Sequence, residues 1–161
     1  MISLLTSDDL AAWKEIRLES LERCPTAFLE TPEHFLAKTD EQHFARFKSN
    51  DILGFKDAQG ALLGTVGFYV ELEERMQHRG QLWAVYVRPP HRGKGIASAL
   101  MEAVMAHAKT KVSQVHLSVE TENHSAIALY KKHGFTIYGT EPKAVCVNGK
   151  YYDDHLMVRI F

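Results

Sequence analysis

The sequence predicts a mixed α/β fold, in which a central mixed sheet of six to seven strands packs against about four helices. Three observations carry this prediction. Apolar runs typical of strands alternate with segments of helical period between residues 82 and 133. Two extended segments flank a turn at residues 57–60, and Asn148-Gly149 is a strong signal for a second hairpin. Because crossover helices join parallel strands and hairpins join antiparallel ones, the sheet should be mixed.

The first third of the chain is predicted to contain one short strand followed by helices. Residues 1–5 are suited to a strand, and Ser7 or Asp8 should cap an amphipathic helix that ends at Cys24-Pro25. Thr31-Pro32 indicates a second helix start, since proline is favoured at the first helical position. Phenylalanines at helical spacing predict one or two short helices through Lys48.

The rest of the chain alternates between extended and helical segments. A hairpin is predicted from residues 52–55 and 61–72, and Leu82–Val87 is a continuous apolar run expected to form a strand buried on both faces. A helix over residues 95–109, a strand over 115–119 and a helix beginning near Asn123 should follow. Residues 144–147 and 151–160 are predicted to form the last two strands.

Composition limits the classes of function. A chain of 161 residues with 45% hydrophobic and 24% charged content is most simply one soluble domain, spanning 1–161. Its net charge of −1 disfavours a duplex nucleic-acid partner, and no run approaches the ~20 apolar residues of a membrane span. The N-terminus lacks the basic region of a secretory signal. Two isolated cysteines and scattered histidines provide no metal-ligand spacing, so we expect a cytoplasmic protein without a metal.

A glycine-rich turn, Arg92-Gly93-Lys94-Gly95, follows the predicted strand 82–87 and leads into the next helix. Glycine lets the backbone approach a ligand closely, and a helix N-terminus favours anions, so this turn is suited to a pyrophosphate. Arg88, Arg92 and Lys94 would add positive charge. The alternative is that the glycines only make a tight turn. The spacing excludes a P-loop, and the third glycine of a dinucleotide fingerprint is replaced by Ser98.

A second motif lies about thirty residues downstream, where residues 123–135 read N-x-x-A-x-x-L-Y-x-x-x-G-F. The turn itself reads Arg92-x-x-Gly95-x-Ala97. In this order and separation, the two motifs resemble the Gcn5-related N-acetyltransferase (GNAT) superfamily, whose members bind acetyl-coenzyme A. The resemblance implies a GNAT-like acyl-CoA N-acyltransferase fold with acetyl-CoA as the co-substrate. It covers most of the chain, although its specific motifs lie between residues 85 and 135.

The resemblance also implies roles for individual residues. The backbone of Val85–Val87 would pair with the pantetheine amides, the turn from Arg92 to Ser98 would hold the pyrophosphate, and the next strand would splay away to leave a slot for the thioester. Asn123 would lie near the pantetheine arm, and it also suits a helix N-cap. The implied cofactor-binding residues are Val85, Tyr86, Val87, Arg92, Gly93, Lys94, Gly95, Ile96, Ala97, Ser98, Asn123, Ser125 and Tyr130.

Catalysis would require an acid for the departing sulfur and a base for the amine. The resemblance implies that Tyr130 points its hydroxyl at the coenzyme sulfur, where it could act as the general acid; the alternative is a tyrosine that only packs on the sheet. Many relatives carry a glutamate at the start of the strand before the glycine turn, but this chain has Gly80-Gln81-Leu82-Trp83 there. We favour Glu120 as the base. Glu71, Glu73, His155 and a water chain remain alternatives.

The predicted function is acetyl transfer from acetyl-CoA to the amine of a small molecule, or to a peptide or protein amino group, by a monomer or homodimer. The resemblance places the segment before the hairpin in one wall of the acceptor site; it includes Arg17, Glu22, Cys24–Phe28, Glu30 and Phe35. Glu30 and Glu33 would suit a cationic amine, although exposed helix charges are the simpler explanation. The first alternative is a non-catalytic acyl-CoA-binding module. A nucleotide-binding regulatory domain would leave the second motif unexplained.

Overall fold

A computed structural model describes all 161 residues and confirms the predicted mixed α/β fold. The strands are β1 (Ile2–Leu4), β2 (Asp51–Lys56), β3 (Leu62–Val70), β4 (Arg79–Val87), β5 (Gln114–Glu120), β6 (Thr136–Val147) and β7 (Lys150–Ile160). The helices are α1 (Leu10–Arg23), α2 (Pro32–Leu36), α3 (Asp40–Lys48), α4 (Ile96–Lys109) and α5 (His124–Lys132). None of these helices is long and apolar enough to cross a membrane.

The sheet has the strand order β1-β2-β3-β4-β5-β7-β6, and every neighbouring pair is antiparallel except β4 and β5. These two parallel strands pair only at one end, where Arg79–Gln81 lie against Gln114–His116. Beyond Gln81 and His116 the ladder stops, although both strands continue for several residues. The central strands therefore separate toward their carboxyl ends, as the resemblance implied.

A β-bulge in β4 lies at the point of separation. The register against β3 shifts between Thr65 and Gly67, and Ala84 has a φ of +52°, in the left-handed region that disfavours residues with a Cβ. Trp83 and Val85 are only half-buried, because their side chains line a cavity. The prediction that this strand is buried on both faces is therefore wrong at these two positions.

Two hydrophobic clusters hold the fold together. The larger one has 20 buried residues and joins α4 and α5 to the sheet; Leu100, Val104 and Ala108 of α4 are each 0% exposed. The smaller one has 9 buried residues and joins α1, α2 and α3 to the sheet around Trp13. The Trp13 ring meets the rings of Phe35 and Phe47 edge-on, at centroid distances of 6.2 and 5.5 Å.

Several predicted boundaries differ from the structure. α1 begins at Leu10 after a short 3₁₀ turn over Ser7–Asp9, so neither Ser7 nor Asp8 is its cap. Thr31 caps α2 with Pro32 at the first helical position, as predicted. β6 begins at Thr136 rather than near residue 144. Two register shifts interrupt its pairing with β7 and most of its side chains are exposed, so the sequence before residue 144 does not indicate a strand. The hairpin at Asn148-Gly149 is confirmed, with Val147 opposite Lys150.

We expect the protein to lose stability as the pH falls below about 6.5. Burial lowers the pKa of His43, His116 and His133 in the folded state. An unfolded histidine titrates near pH ~6.5, so the unfolded chain binds more protons below that pH and becomes favoured. The stability is therefore fully present above pH ~6.5 and decreases as the pH falls toward the lowered values. Denaturant unfolding at a series of pH values measures this slope.

His43→Gln should make the slope shallower, because His43 is only 2% exposed and its Nδ1 has no hydrogen-bond partner. His34→Gln provides the control, since His34 is exposed on the neighbouring helix α2. Equal slopes for the two variants would contradict the explanation.

Candidate active site

The gap between β4 and β5 opens into a cavity of about 1130 Å³. Its walls come from β4, β5 and the inner face of α5, together with α1, the segment between α1 and α2, α3, the end of β3 and the start of α4. Its volume is slightly above the range of about 300–1,000 Å³ that is typical of small-molecule sites. The predicted residues that line it are Val85, Tyr86, Val87, Arg92, Ala97, Glu120, Asn123, Ser125 and Tyr130.

The glycine turn leads from β4 into α4. Gly93 and Gly95 have φ values of +73° and +80°, a backbone conformation that favours glycine. A Cβ placed on either residue would meet no atom within 4 Å, which leaves the space in front of the turn open. Gly95 is the N-cap of the 14-residue helix α4, whose first N–H groups have no partner within the helix. The turn therefore presents main-chain donors and a positive helix end to an unfilled space.

The side chains around the turn have different surroundings. The Arg92 Nε donates to the carbonyl of Val87 at 2.9 Å, and its guanidinium lies over the Tyr86 ring. Lys94 is exposed, and Ile96 is buried in the larger hydrophobic cluster, so Ile96 can offer only its main chain. The Ser98 hydroxyl lies 2.9 Å from Nε2 of His133 and accepts a hydrogen bond from Lys132.

The start of α5 forms part of the cavity wall. Asn123 caps this helix: its Oδ1 accepts from the Ala126 amide at 3.3 Å and from the Ser125 hydroxyl at 3.2 Å. The N-cap interpretation of Asn123 is therefore confirmed. Because its Oδ1 already accepts these two bonds, the amide NH₂ is the part of the side chain left to bind a ligand.

Tyr130 lies on the inner face of α5 and is 8% exposed. Burial raises the pKa of its hydroxyl to about 12, and the group has no hydrogen-bond partner that would offset the effect. Its ring packs edge-on against Phe135 with a centroid distance of 6.1 Å. The side chain is thus packed in the cavity wall, with a hydroxyl that stays protonated across the physiological range.

Four carboxylates line the cavity: Glu30, Glu71, Glu73 and Glu120. The Glu120 Oε2 accepts a hydrogen bond from the Thr26 hydroxyl at 2.8 Å, which ties the end of β5 to the α1–α2 segment. Glu71 accepts from the side-chain amide of Gln81 at 2.8 Å, so its carboxylate lies beside the start of β4, the stretch in which the resemblance led us to look for a glutamate. His155 is not part of the lining, and its ring pairs with Thr140 instead.

The outer wall of the cavity contains cationic and aromatic side chains. Of the residues predicted for this wall, Arg17, Cys24, Ala27, Phe28 and Glu30 line it, whereas Glu22, Pro25, Thr26 and Phe35 do not. Glu30 is not an exposed helix charge, because its side chain is 8% exposed and forms ion pairs with Arg17, Lys38 and Arg46. The cavity is also lined by four residues that were not predicted from the sequence: Arg46, Tyr69, Leu72 and Trp83. Only the direction of each side chain from its strand or helix, relative to the gap between β4 and β5, could have identified them, and no sequence pattern reveals that gap.

Gly67→Ala is expected to displace the Trp83 indole and destabilise the protein. An added Cβ would lie 2.4 Å from Nε1 and Cε2 of Trp83, closer than any real contact. Overpacking of this kind costs about 1–3 kcal/mol. Denaturant unfolding measures the loss, and tryptophan fluorescence reports the movement of the indole. Gly139→Ala is the control, since its Cβ would have ordinary contact with Leu156 at 3.7 Å. Equal stability of both variants would contradict the packing argument.

The mixed sheet opens between two parallel strands, with a glycine turn and a helix N-terminus at the opening, which is the arrangement that the resemblance to acyl-CoA-dependent N-acyltransferases implied. A model of the acetyltransferase (GNAT) family matches residues 10–135. The chain therefore belongs to this family. No cluster of His, Cys, Asp and Glu side chains in the structure is arranged to hold a metal ion.

Relatives within the family have different named substrates. The chain is 33% identical over 103 residues to the L-amino acid N-acetyltransferase AaaT of Escherichia coli, in a match covering 63% of each protein. It is 31% identical over 100 residues to the spermidine N(1)-acetyltransferase of Vibrio cholerae, covering 61% of this chain and 56% of that one. The chain thus matches less than two thirds of either relative's length.

The fold is similar to that of solved acetyltransferases. A phosphinothricin acetyltransferase from Sinorhizobium meliloti, in complex with acetyl-CoA, superposes with a TM-score of 0.87 at 21% identity. The similarity covers 100% of this chain and 88% of that protein. It confirms the predicted GNAT-like fold.

Proposed function

We propose that this protein is an acetyl-CoA-dependent N-acetyltransferase that moves an acetyl group to the amine of a small molecule. The observation that carries the proposal is the separation of β4 from β5 over a cavity that has the glycine turn near one end and the Tyr130 hydroxyl in its wall. The names of the relatives, which include amino-acid and spermidine acetyltransferases, support a small-molecule amine. A peptide or protein amino group is the alternative acceptor. We also propose that residues 1–161 form one domain.

The residues present fit acetyl-CoA. The open space at Gly93 and Gly95, with the N-terminus of α4 behind it, suits a pyrophosphate. Beyond its last pairing with β5, the edge of β4 facing that strand has no strand partner. Val85–Val87 could bind the amides of the pantetheine arm along this edge with main-chain groups other than the Val87 carbonyl, which already accepts from Arg92. Asn123 and Ser125 line the same cavity at the start of α5. Acetyl-CoA would supply the acetyl group as a thioester.

Proton transfer is assigned to two side chains. Tyr130 holds a proton that it can donate to the departing thiolate, because the high pKa of its hydroxyl, about 12, keeps it protonated. Glu120 is proposed to take the proton from the amine, since its carboxylate lines the cavity at the end of β5 and Thr26 holds it in place. Glu71 is the competing base, held by Gln81.

The test is thiol release from acetyl-CoA over a panel of amino acids, polyamines, aminoglycosides and peptides. We expect turnover with at least one small amine. Coenzyme binding without turnover of any amine would instead favour the non-catalytic acyl-CoA-binding module.

Glu120→Gln should lower kcat by about 100-fold or more, as expected for loss of a general base. If Glu120 is the base, Glu71→Gln should change kcat only slightly. A large loss of kcat in Glu71→Gln with little change in Glu120→Gln would instead assign the base to Glu71. Glu122→Gln is the control, because Glu122 is 79% exposed outside the cavity.

A further inference from the structure

The outer wall of the cavity contains a guanidinium group with incomplete pairing. Arg17 is 5% exposed, yet its Nε and Nη1 have no hydrogen-bond partner. Its one ionic contact is from Nη2 to Oε2 of Glu30 at 3.5 Å. Buried arginines usually have their donors satisfied, because an unpaired buried polar group is costly. Arg17 therefore has unused capacity to bind an anion.

The charges around Arg17 do not balance. Three cations, Arg17, Arg46 and Lys38, share the single carboxylate of Glu30, so this group has a net charge of +2. Lys38 is outside the cavity lining, whereas the two arginines are part of it. Burial lowers the pKa of Arg17 to about 10, which indicates how strongly its charge is desolvated, but it remains protonated at neutral pH.

The two arginines share an aromatic neighbour. The guanidinium carbons of Arg17 and Arg46 lie over the Trp83 ring, 5.5 and 4.7 Å from its centroid, and Arg17 also lies 4.7 Å from the Phe28 ring centroid. These contacts hold both groups in defined places on the wall. Trp83 belongs to β4, just before the bulge, so the cationic group lies next to the stretch of β4 that we assign to the coenzyme.

Negatively charged side chains line the cavity at a different place from the two arginines. Glu71, Glu73 and Glu120 line the same cavity without an ion pair to any lysine or arginine. The cavity is therefore cationic near α1 and α3, and acidic at the ends of β3 and β5. Such a separation fits a molecule with an ammonium group and an anionic group, and it would repel a polyamine from the arginines.

We propose that the acceptor is an amine that also carries an anionic group, in the simplest case a carboxylate, and that Arg17 and Arg46 bind this group. The inference rests on the proposed acetyltransferase function and specifies its acceptor class. A planar carboxylate matches the fork of a guanidinium, and the resulting hydrogen bonds are charge-assisted. α-Amino acids are the smallest acceptors of this class.

The test compares acceptor pairs that differ only in the carboxylate: leucine with 3-methylbutylamine, and methionine with 3-(methylthio)propylamine. Wild-type kcat/KM should be about 10- to 100-fold higher for the amino acid of each pair, the range expected for hydrogen bonds to a charged group. Arg17→Met and Arg46→Met should remove this preference mainly by raising KM. Arg17→Lys should keep part of it. Lys14→Met is the matched control, since Lys14 is a cation of α1 that pairs with Asp40 away from the cavity.

Binding provides a second measurement. Trp83 and the buried Trp13 are the only tryptophans, so leucine should quench the fluorescence of the CoA-loaded protein through Trp83, and leucinamide should bind at least tenfold more weakly. Absence of turnover with every amine would refute the proposed function, while this titration would still decide the inference. Equal use of amines with and without a carboxylate, or an equal loss for both in the arginine variants, would overturn it. If Arg17→Met fails to fold, Arg46→Met decides the question, because Arg46 is 34% exposed.

Discussion

Tyr130→Phe is expected to lower kcat by about 100- to 10,000-fold, the range for loss of a general acid. The change removes one oxygen atom and keeps the ring that packs against Phe135. Affinity for acetyl-CoA should stay within a few-fold of wild type, since the main-chain groups of β4 and the glycine turn are unchanged. Steady-state kinetics of thiol release, with calorimetric binding of acetyl-CoA, separate the two effects.

Stability should change little in this variant, because the Tyr130 hydroxyl has no hydrogen-bond partner to lose. The pH profile provides a second check. Burial raises the pKa of Tyr130 to about 12, so activity should not fall between pH 8 and 10 through ionisation of this group. Tyr151→Phe is the control, since Tyr151 is 58% exposed on β7. If Tyr130→Phe turned over at the wild-type rate, the acid role would be refuted and Tyr130 would be a packing residue only.

Gly95→Asp is expected to weaken acetyl-CoA binding by about 100-fold or more. The new carboxylate would enter the open space in front of the turn, where we place the pyrophosphate. Like charges brought together at a binding site cost several kcal/mol, and each 1.4 kcal/mol is about a factor of ten in affinity. Isothermal calorimetry with acetyl-CoA measures the change directly, without requiring an acceptor.

The control for this variant is Gly60→Asp. Gly60 has a φ of +86°, close to the +80° of Gly95, and an added Cβ would also meet no atom within 4 Å. Both variants should therefore lose about 1 kcal/mol of stability through the left-handed conformation. Only Gly95→Asp should lose coenzyme affinity. If affinity survived that change, the assignment of the turn to the pyrophosphate would be wrong.

Much of the fold could be predicted because its signals are local. Thr31-Pro32, Asn123 and Asn148-Gly149 each mark a boundary through the chemistry of a few neighbouring residues, and all three are confirmed. The predicted start of β6 was wrong because residues 136–143 show neither alternating polarity nor burial. They form a strand only through their pairing with β7. Pairing partners distant in sequence leave no local signal.

The candidate site likewise contains residues that could be predicted from the sequence and residues that could not. The glycine turn and the α5 motif are contiguous in sequence, so their residues could be named in advance. Arg46 and Trp83 could not, because each has an ordinary explanation in its own element: an arginine near the end of a helix and an aromatic residue in a strand. Their significance depends on Arg17, Glu30 and the bulge at Ala84, which lie far apart in the chain.

Where β4 and β5 part, the groups left unpaired belong to the main chain rather than to any side chain. No ordinary substitution can delete them, and only proline, which lacks an N–H, would remove a donor. Val85 and Val87 are therefore free to exchange with other strand-forming residues over evolutionary time without loss of these groups. Arg17 and Arg46, to which we assign the anionic group of the acceptor, would act through their side chains, so substitutions at these positions and at the neighbouring Trp83 should alter the range of compounds accepted. One donor site could thus persist in a lineage while its acceptors diversify.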